Sequence, residues 1–287
     1  MKPAPFHYLA PATVEAAVAI LAEHGDEAAV LAGGQSLMPM LALRLTAPAI
    51  LVDINRIGAL ERQSIDATGY SFGALVRHAD AWAAVRADDP AHLLARALPH
   101  VAHQAIRHRG TICGSLALAD PAAELPACAV CLDAEIELAG PTGRRRLAAE
   151  AYFEGLYTTA RRPDELVVGV HVPRLGPDAR FGFDEVARRH GDYAILGLAA
   201  RAHVVDDCIE DCRLVYFGAG DRPVAATAAA AALKGAALDD GQAHGRAADA
   251  VMGELAIDPD PAYGEAYKRQ LAKALLGRII RQWRAPQ

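Results

Sequence analysis

The chain has 287 residues, 53% of them hydrophobic and 22% charged, a composition that builds a packed core and excludes a disordered protein. Its formal charge is −6 and its longest basic run is Arg144-Arg145-Arg146, which excludes a nucleic-acid footprint. The length admits one large domain or two ordinary ones, and no stretch approaches the ~18 apolar residues of a membrane span.

The opening MKPAPFHYLAPATVEAA has no apolar run ending in a small-residue cleavage site, so no signal peptide is expected. Five cysteines, an odd number, point to reduced thiols and a cytoplasmic protein. Thr13 is placed to cap a helix that stops near Gly25, with Val14, Ala17, Val18 and Leu21 at helical spacing. Residues 28–32 and 50–54 read as buried strands, separated by the turn Gly33-Gly34. A strand is predicted over 69–76, helical structure from Asp80, and a helix over 90–104. A glycine-led loop follows from Gly110, then a short apolar helix over 124–132. Residues 134–138 and 144–147 form a hairpin around Pro141-Thr142-Gly143, with the three arginines on its solvated side. A strand over 165–172 ends at Pro173, and residues 174–178 are the linker. Beyond it, three antiparallel strands (181–188, 193–205, 208–217) precede helices over 223–233, 241–255 and 263–283, a small α+β domain. Tyr267, Leu271, Leu275 and Ile279 mark the face of the last helix that packs on the sheet.

Two stretches carry chemistry. Gly110 to Pro126 reads GTICGSLALADPAAELP, and Leu31 to Leu37 reads LAGGQSL. Glycines permit close backbone approach, Thr111 and Ser115 add hydroxyl donors, and no lysine is present in either. Two such bends are suited to gripping one diphosphate through main-chain N–H groups, each charge-assisted bond contributing ~1.5–3 kcal/mol. Neither is a Walker A loop nor a G-x-G-x-x-G turn. A four-thiolate site from Cys128, Cys131, Cys208 and Cys212 is disfavoured, because these cysteines sit in an apolar helix and a strand without knuckle glycines. His100, His103 and His108 share no helical face, and Cys113 has no adjacent cation to activate it. Asp88-Asp89 and Asp239-Asp240 read as solvated turns, and no acid–base pair stands out near the glycine bends.

LAGGQSL and AIRHRGTICGSLALADPAAELPA resemble the two flavin-binding motifs of the medium, FAD-binding subunits of molybdenum hydroxylases, of the carbon monoxide, nicotine and caffeine dehydrogenase type. The resemblance runs from FHYLAPATVEAAVAILAEHG through LVDINRIGAL to ARRHGDYAILGLAA and the closing helices. It implies an α+β protein. An FAD-binding domain of the p-cresol methylhydroxylase/vanillyl-oxidase type, residues 1–175, would comprise two α/β subdomains (about 1–57 and 58–175). A C-terminal domain, 179–287, would carry a three-stranded antiparallel sheet and helices. It implies FAD held by Ala32, Gly33, Gly34, Gln35, Ser36 and Leu37 on one side and by Thr111, Gly114 and Ser115 on the other. Asp120 and Glu124 would hold the loop or reach the ribityl and adenosine side. Tyr193 would cover a face of the isoalloxazine and Leu166 would touch the adenine side. No catalytic side chain and no metal ligand is implied on this chain. Molybdopterin is expected on a large partner subunit and two [2Fe–2S] clusters on a small one, in a dimer of heterotrimers. Electrons from those clusters would pass through FAD to an external acceptor, and an apolar patch near the flavin's dimethylbenzene edge would receive the small subunit.

The chain departs from the family's pattern at Gln35 (usually His), Cys113 (usually Gly), Leu118 (often His) and Glu185 (often Lys). These departures leave the acceptor open among quinone, oxygen and NAD. Two other functions fit the glycine bends: a free-standing flavin oxidase of the vanillyl-oxidase type, for which 179–287 is short, and an assembly module without flavin.

Overall fold

The computed structural model describes residues 2–258 and 262–285. The extreme ends of the two expected domains, residues 1, 286 and 287, lie outside them. The chain begins with β1 (His7–Leu9), α1 (Val14–His24), β2 (Ala28–Leu31), α2 (Leu37–Ala42) and β3 (Ile50–Asp53). Thr13 caps α1 by accepting the amide of Ala16, and Gly25 ends it at φ +50°. The three strands form a parallel sheet in the order β1-β3-β2. β3, in the centre, is buried, but β2 lies at the edge and is only half-buried.

A second sheet contains β4 (Gln63–Ile65) and β5 (Gly69–Gly73). Between β5 and the rest of that sheet run α3 (His78–Asp88), α4 (Leu93–Ala97), α5 (Gln104–Arg107), α6 (Ile112–Leu118) and α7 (Glu124–Cys131). The sheet is completed by β6 (Glu135–Gly140), β7 (Gly143–Ala148) and, after α8 (Ala149–Tyr152) and the small hairpin β8 (Phe153–Gly155) and β9 (Thr158–Thr159), by β10 (Leu166–Pro173). The order is β4-β5-β10-β6-β7, and every pairing is antiparallel, so this part is α+β where the resemblance implied a second α/β subdomain. Its hairpins explain the difference, since short turns join antiparallel neighbours and leave no room for a crossover.

Several expectations in this region fail. The helix predicted over 90–104 is broken into α4 and α5, because Pro99 lacks an amide to continue the ladder and Ala102 adopts φ +44°. The stretch after Gly110 is not a loop: Thr111 accepts the amide of Gly114 and starts α6. Asp88 is also no idle solvated turn. It accepts from the Tyr70 hydroxyl at 2.7 Å and from Arg174 at 3.0 Å. Of the three hairpin arginines, Arg145 turns in and makes a two-pronged pair with buried Glu165 at 2.6 and 2.7 Å.

The C-terminal part holds β11 (Ala179–Ala187), β12 (Ala194–Val205), β13 (Cys208–Phe217) and the two-residue β14 (Val224–Ala225), followed by α9 (Thr227–Leu233), α10 (Gly241–Glu254) and α11 (Glu265–Arg284). The antiparallel sheet is therefore four-stranded, with β14 too short to leave a periodic signal. It is buried on both faces. Leu196, Leu198, Leu214 and Tyr216 pack on the helices, whereas Phe183, Ala199, Val215 and Phe217 join the core of the first part. β12 is accordingly apolar on both sides instead of alternating. The face α11 turns to the sheet runs through Lys268, Ala272, Leu275, Ile279 and Trp283, while Tyr267 is exposed. Asp240 caps α10 by accepting the amides of Gln242 and Ala243, so only its neighbour Asp239 fits a plain turn.

Candidate functional site

The two glycine bends meet. A Cβ added to Gly33 would lie 2.3 Å from the carbonyl oxygen of Arg109 and 2.8 Å from the Cα of Gly110. No side chain fits there, so glycine is the condition for closing this seam. Gly34 takes φ +74° and turns the chain into α2. Ala32, Gly33, Gly34 and Gln35 line an open cavity of about 900 Å³, together with Asp53, Asn55, Arg77, Ile106 and Arg109. Among the described residues, the amides of Gly33, Gly34, Gln35 and Ser36 donate to no protein acceptor. The Gln35 side chain folds back onto its own loop, donating to Gly33 O at 3.0 Å.

The second bend is built differently from the expectation. His78 and Gly110 are tied by the bond from the His78 amide to Gly110 O, 3.0 Å, and Ile112 donates to Val76 O at 3.1 Å. The His78 ring, 5% exposed, donates from Nε2 to Thr111 O at 2.8 Å. Burial holds this ring neutral, with its pKa down to about 4. The Gly114 amide is taken by Thr111 Oγ1 and the Ser115 amide by Thr111 O. Unengaged main-chain donors are thus found in both bends: the amides of Gly33 to Ser36 in the first and, buried, those of Thr111 and Cys113 in the second. Thr111 is buried and Gly114 and Ser115 are half-buried; none of the three lines either cavity.

A basic side chain also enters, against the expectation of a purely main-chain site. Arg77 donates to Arg109 O at 2.6 Å and to Asn55 Oδ1 at 2.8 Å. Asn55 in turn donates to Ala32 O at 2.9 Å and to Asp53 Oδ1 at 2.6 Å. Asp53, Asn55, Arg77 and the main-chain carbonyl of Arg109 thus brace the first bend, with Arg77 at the edge of the cavity. The only hint of them in the sequence is that Asp53 and Asn55 end a strand and Arg109 precedes Gly110; nothing flags Arg77 or His78.

A second cavity of about 680 Å³ is lined by Pro121, Ala122, Arg188, Asp192, Tyr193, Tyr263 and Lys268, among others. Tyr193 is 62% exposed there, with Asp120 and Glu124 close enough to act on its hydroxyl. Asp120 accepts from the Ala122 amide at 2.9 Å and from the Tyr157 hydroxyl at 3.2 Å. Glu124 is 7% exposed, and burial, with Glu185 beside it, pushes its carboxyl up to about 7. Leu166 lies in the core on β10, 3% exposed, and lines neither cavity. An acid–base pair that the sequence did not reveal is present: His100 Nδ1 lies 3.3 Å from Glu185 Oε1. Four of the five thiols are inert by placement. Cys113, Cys128, Cys131 and Cys212 are buried, and burial lifts Cys113 and Cys131 to about 12. Among the described residues no group of three His, Cys, Asp or Glu side chains is placed to hold a metal ion.

A glycine seam with unengaged amides, an arginine at its edge and a second cavity bearing Tyr193 and Tyr263 is an arrangement suited to a dinucleotide. The chain belongs to the family of FAD-binding subunits of molybdopterin-dependent dehydrogenases. The family described as "FAD binding domain in molybdopterin dehydrogenase" matches residues 4–175, and "CO dehydrogenase flavoprotein C-terminal domain" matches 181–283. The chain is 36% identical to the 6-hydroxypseudooxynicotine dehydrogenase complex subunit alpha of Paenarthrobacter nicotinovorans, over 98% of this chain and 95% of that one. Its fold is similar to carbon monoxide dehydrogenase from Hydrogenophaga pseudoflava (TM-score 0.94, 33% identity, 99% and 98% coverage). It is likewise similar to quinoline 2-oxidoreductase from Pseudomonas putida 86 (TM-score 0.91, 35% identity, 99% and 98% coverage). It is thus an FAD subunit of an oxidoreductase.

Proposed function

We propose that this chain is the electron-transfer subunit of a cytoplasmic molybdenum hydroxylase, taking electrons from the [2Fe–2S] clusters of a small subunit and delivering them to an external acceptor. A large molybdopterin subunit would oxidise the substrate, and the whole would assemble as a dimer of heterotrimers. The observation that carries this reading is the seam at Gly33 and Gly110, with free amides and Arg77 on one side of it. FAD, when bound, supplies the redox chemistry.

The residues divide the binding work. Gly33, Gly34, Gln35 and Ser36 offer N–H donors to the diphosphate, with Ala32 and Leu37 fixing the ends of the bend. Thr111, Gly114 and Ser115 shape the opposite wall, and the Thr111 hydroxyl proton remains available as a donor. Asp120 and Glu124 hold the following turn against the ribityl and adenosine side. Tyr193 excludes water from one face of the ring. Leu166, enclosed in the core, reaches the adenine side only by backing that wall.

Met38, Leu43 and Leu45 follow the first bend and are 44%, 58% and 71% exposed. An apolar surface at this place suits the docking of the small subunit. The test is co-expression with neighbouring genes for a long molybdopterin protein and a short cysteine-rich one. The three should co-purify, and substrate should bleach the flavin only in the complete assembly. Turnover of alcohols, phenols or amines by the isolated chain would overturn the reading.

A further inference from the structure

Two basic stretches meet on one face of a chain whose net charge is −6. Residues 99–110 contain Arg107 and Arg109 and no acid, and residues 186–193 contain Arg188 and Arg189 against the single Asp192. The turn after β11 packs on the approach to α5: a Cβ added to Gly191 would lie 2.8 Å from the His103 ring and 3.0 Å from Ala102 O. The rings of His100 and His190 meet at the same contact, with centroids 6.2 Å apart. Arg107 folds over that approach, donating to Val101 O at 3.0 Å and to Ala102 O at 2.8 Å. Arg109, Arg188 and Arg189 are exposed. Among the described residues these four arginines pair with no carboxylate, whereas Arg145, Arg174, Arg213 and Arg278 all do. Glu185, just before the second stretch, is buried against His100 and does not offset them.

The cations are spread and not gathered. Arg109 lines the first cavity and Arg188 the second, while Arg107 and Arg189 line neither. A small anion therefore reaches only part of the set, and a broad surface reaches all of it. Unpaired guanidinium groups on a surface steer and register a partner of opposite charge. We propose that this face docks an acidic electron-carrier protein, which takes electrons from the flavin. The proposal rests on FAD being bound as proposed above, from the bend at Gly33 to Tyr193. The face borders both ends of that path, through Ile106 and Arg109 at the first cavity and through Arg188 and Gly191 at the second. The apolar surface at Met38, Leu43 and Leu45 is left to the small subunit. In the transfer, two carrier molecules each gain one electron from FADH−, which returns to FAD and loses its proton to solvent.

The net charge of the chain predicts the opposite sign, repulsion of any acidic protein, so the test separates a local face from the bulk. The probe is cytochrome b5, an acidic one-electron acceptor, with the basic cytochrome c as its counterpart. The FAD-loaded full chain is reduced with dithionite, freed of excess reductant and mixed with either one by stopped flow. At about 20 and about 300 mM salt the screening length is ~20 and ~6 Å. Reduction of cytochrome b5 should slow by about tenfold or more as salt rises, and reduction of cytochrome c should quicken. Arg189→Glu alters an exposed side chain that lines neither cavity. It should slow the cytochrome b5 reaction at low salt by ~2–5-fold and flatten its salt dependence, with FAD affinity unchanged. Lys234→Glu, the same charge change at the exposed end of α9, should leave the rate as it is.

A second readout needs no flavin: calorimetric binding of cytochrome b5 to the flavin-free chain should weaken with salt and with Arg189→Glu. Failure of the chain to take up FAD would sink the functional reading, and the electron transfer with it, while this binding would stand. FAD uptake with a cytochrome b5 rate indifferent to salt would overturn the docking face alone. Equal slowing by Lys234→Glu and Arg189→Glu would do the same. So would a sedimenting dimer that Arg189→Glu dissolves, since a second copy of the chain would then occupy the face.

Discussion

Replacing Gly33 by alanine tests the seam on which the site is built. The added Cβ would sit 2.3 Å from Arg109 O, 2.8 Å from Gly110 Cα and 3.0 Å from the Arg109 carbonyl carbon. All three are backbone atoms, so no side chain can swing aside, and the two bends must part by roughly 1 Å to reach ordinary contact distance. Overpacking of this kind costs ~1–3 kcal/mol, which at ~2–4 °C per kcal/mol lowers Tm by ~2–12 °C. Parting the bends also misaims the amides of Gly33 to Ser36. Loss of one charge-assisted bond, ~1.5–3 kcal/mol, weakens FAD binding by roughly 10- to 150-fold. The assays are differential scanning fluorimetry of the flavin-free chain and titration of FAD fluorescence. Gly58→Ala is the control, since a Cβ there meets nothing within 4 Å. If Gly33→Ala matches the wild type in both Tm and Kd, the bends do not depend on this contact and the reasoning is refuted.

Three further outcomes are expected. Arg77→Gln should weaken FAD binding by ~10–100-fold and flatten its salt dependence in a titration repeated at low and high ionic strength; unchanged affinity would remove Arg77 from the site. Acid should destabilise the fold. His78 and His92 are held to about 4 by burial, and each titrates near 6.5 when unfolded. Their contribution is full above pH 6.5 and is lost as pH falls through 6.5 to 4, ~3 kcal/mol per ring for roughly 2.5 units. Glu124, raised from 4.5 to about 7, opposes them, since its contribution is full below 4.5 and lost as pH rises through 7. Because pH 4.5 still lies above the folded-state value of the two rings, a net loss of ~2 kcal/mol should remain as a lower urea midpoint at pH 4.5 than at pH 7, and an equal or higher midpoint contradicts the assignment. Finally, Cys208 is half-buried while the other four cysteines are buried. Native protein should therefore show one fast thiol towards a disulfide reagent and five after denaturation, and two fast thiols would refute the placement.

Much of the fold was legible because local chemistry and tertiary packing agree. Thr13 and Gly25 bracket α1, Pro173 ends β10, and the hydrophobic runs of β3, β12 and β13 are buried as their composition demands. The glycine bends were legible for the same reason, since a close backbone approach leaves glycine as its mark. The failures have physical causes. α6 was hidden because Gly110 and Gly114 suggest a loop, whereas Thr111 supplies the cap that makes a helix. The break between α4 and α5 depends on Ala102 at φ +44°, a conformation alanine does not advertise. Arg77, His78 and the pairing of His100 with Glu185 are contacts between residues 22 to 85 positions apart or braces to a neighbouring bend, which periodicity cannot register.

The account rests on the diphosphate of FAD being met by the bend at Gly33 to Ser36 where it closes on Arg109 and Gly110. A crystal structure of the full chain with FAD tests this directly. Phosphate oxygens within about 2.7–3.2 Å of those amides, beside Arg77, are the predicted result. A diphosphate seated away from the seam, with the four amides facing water, would contradict it.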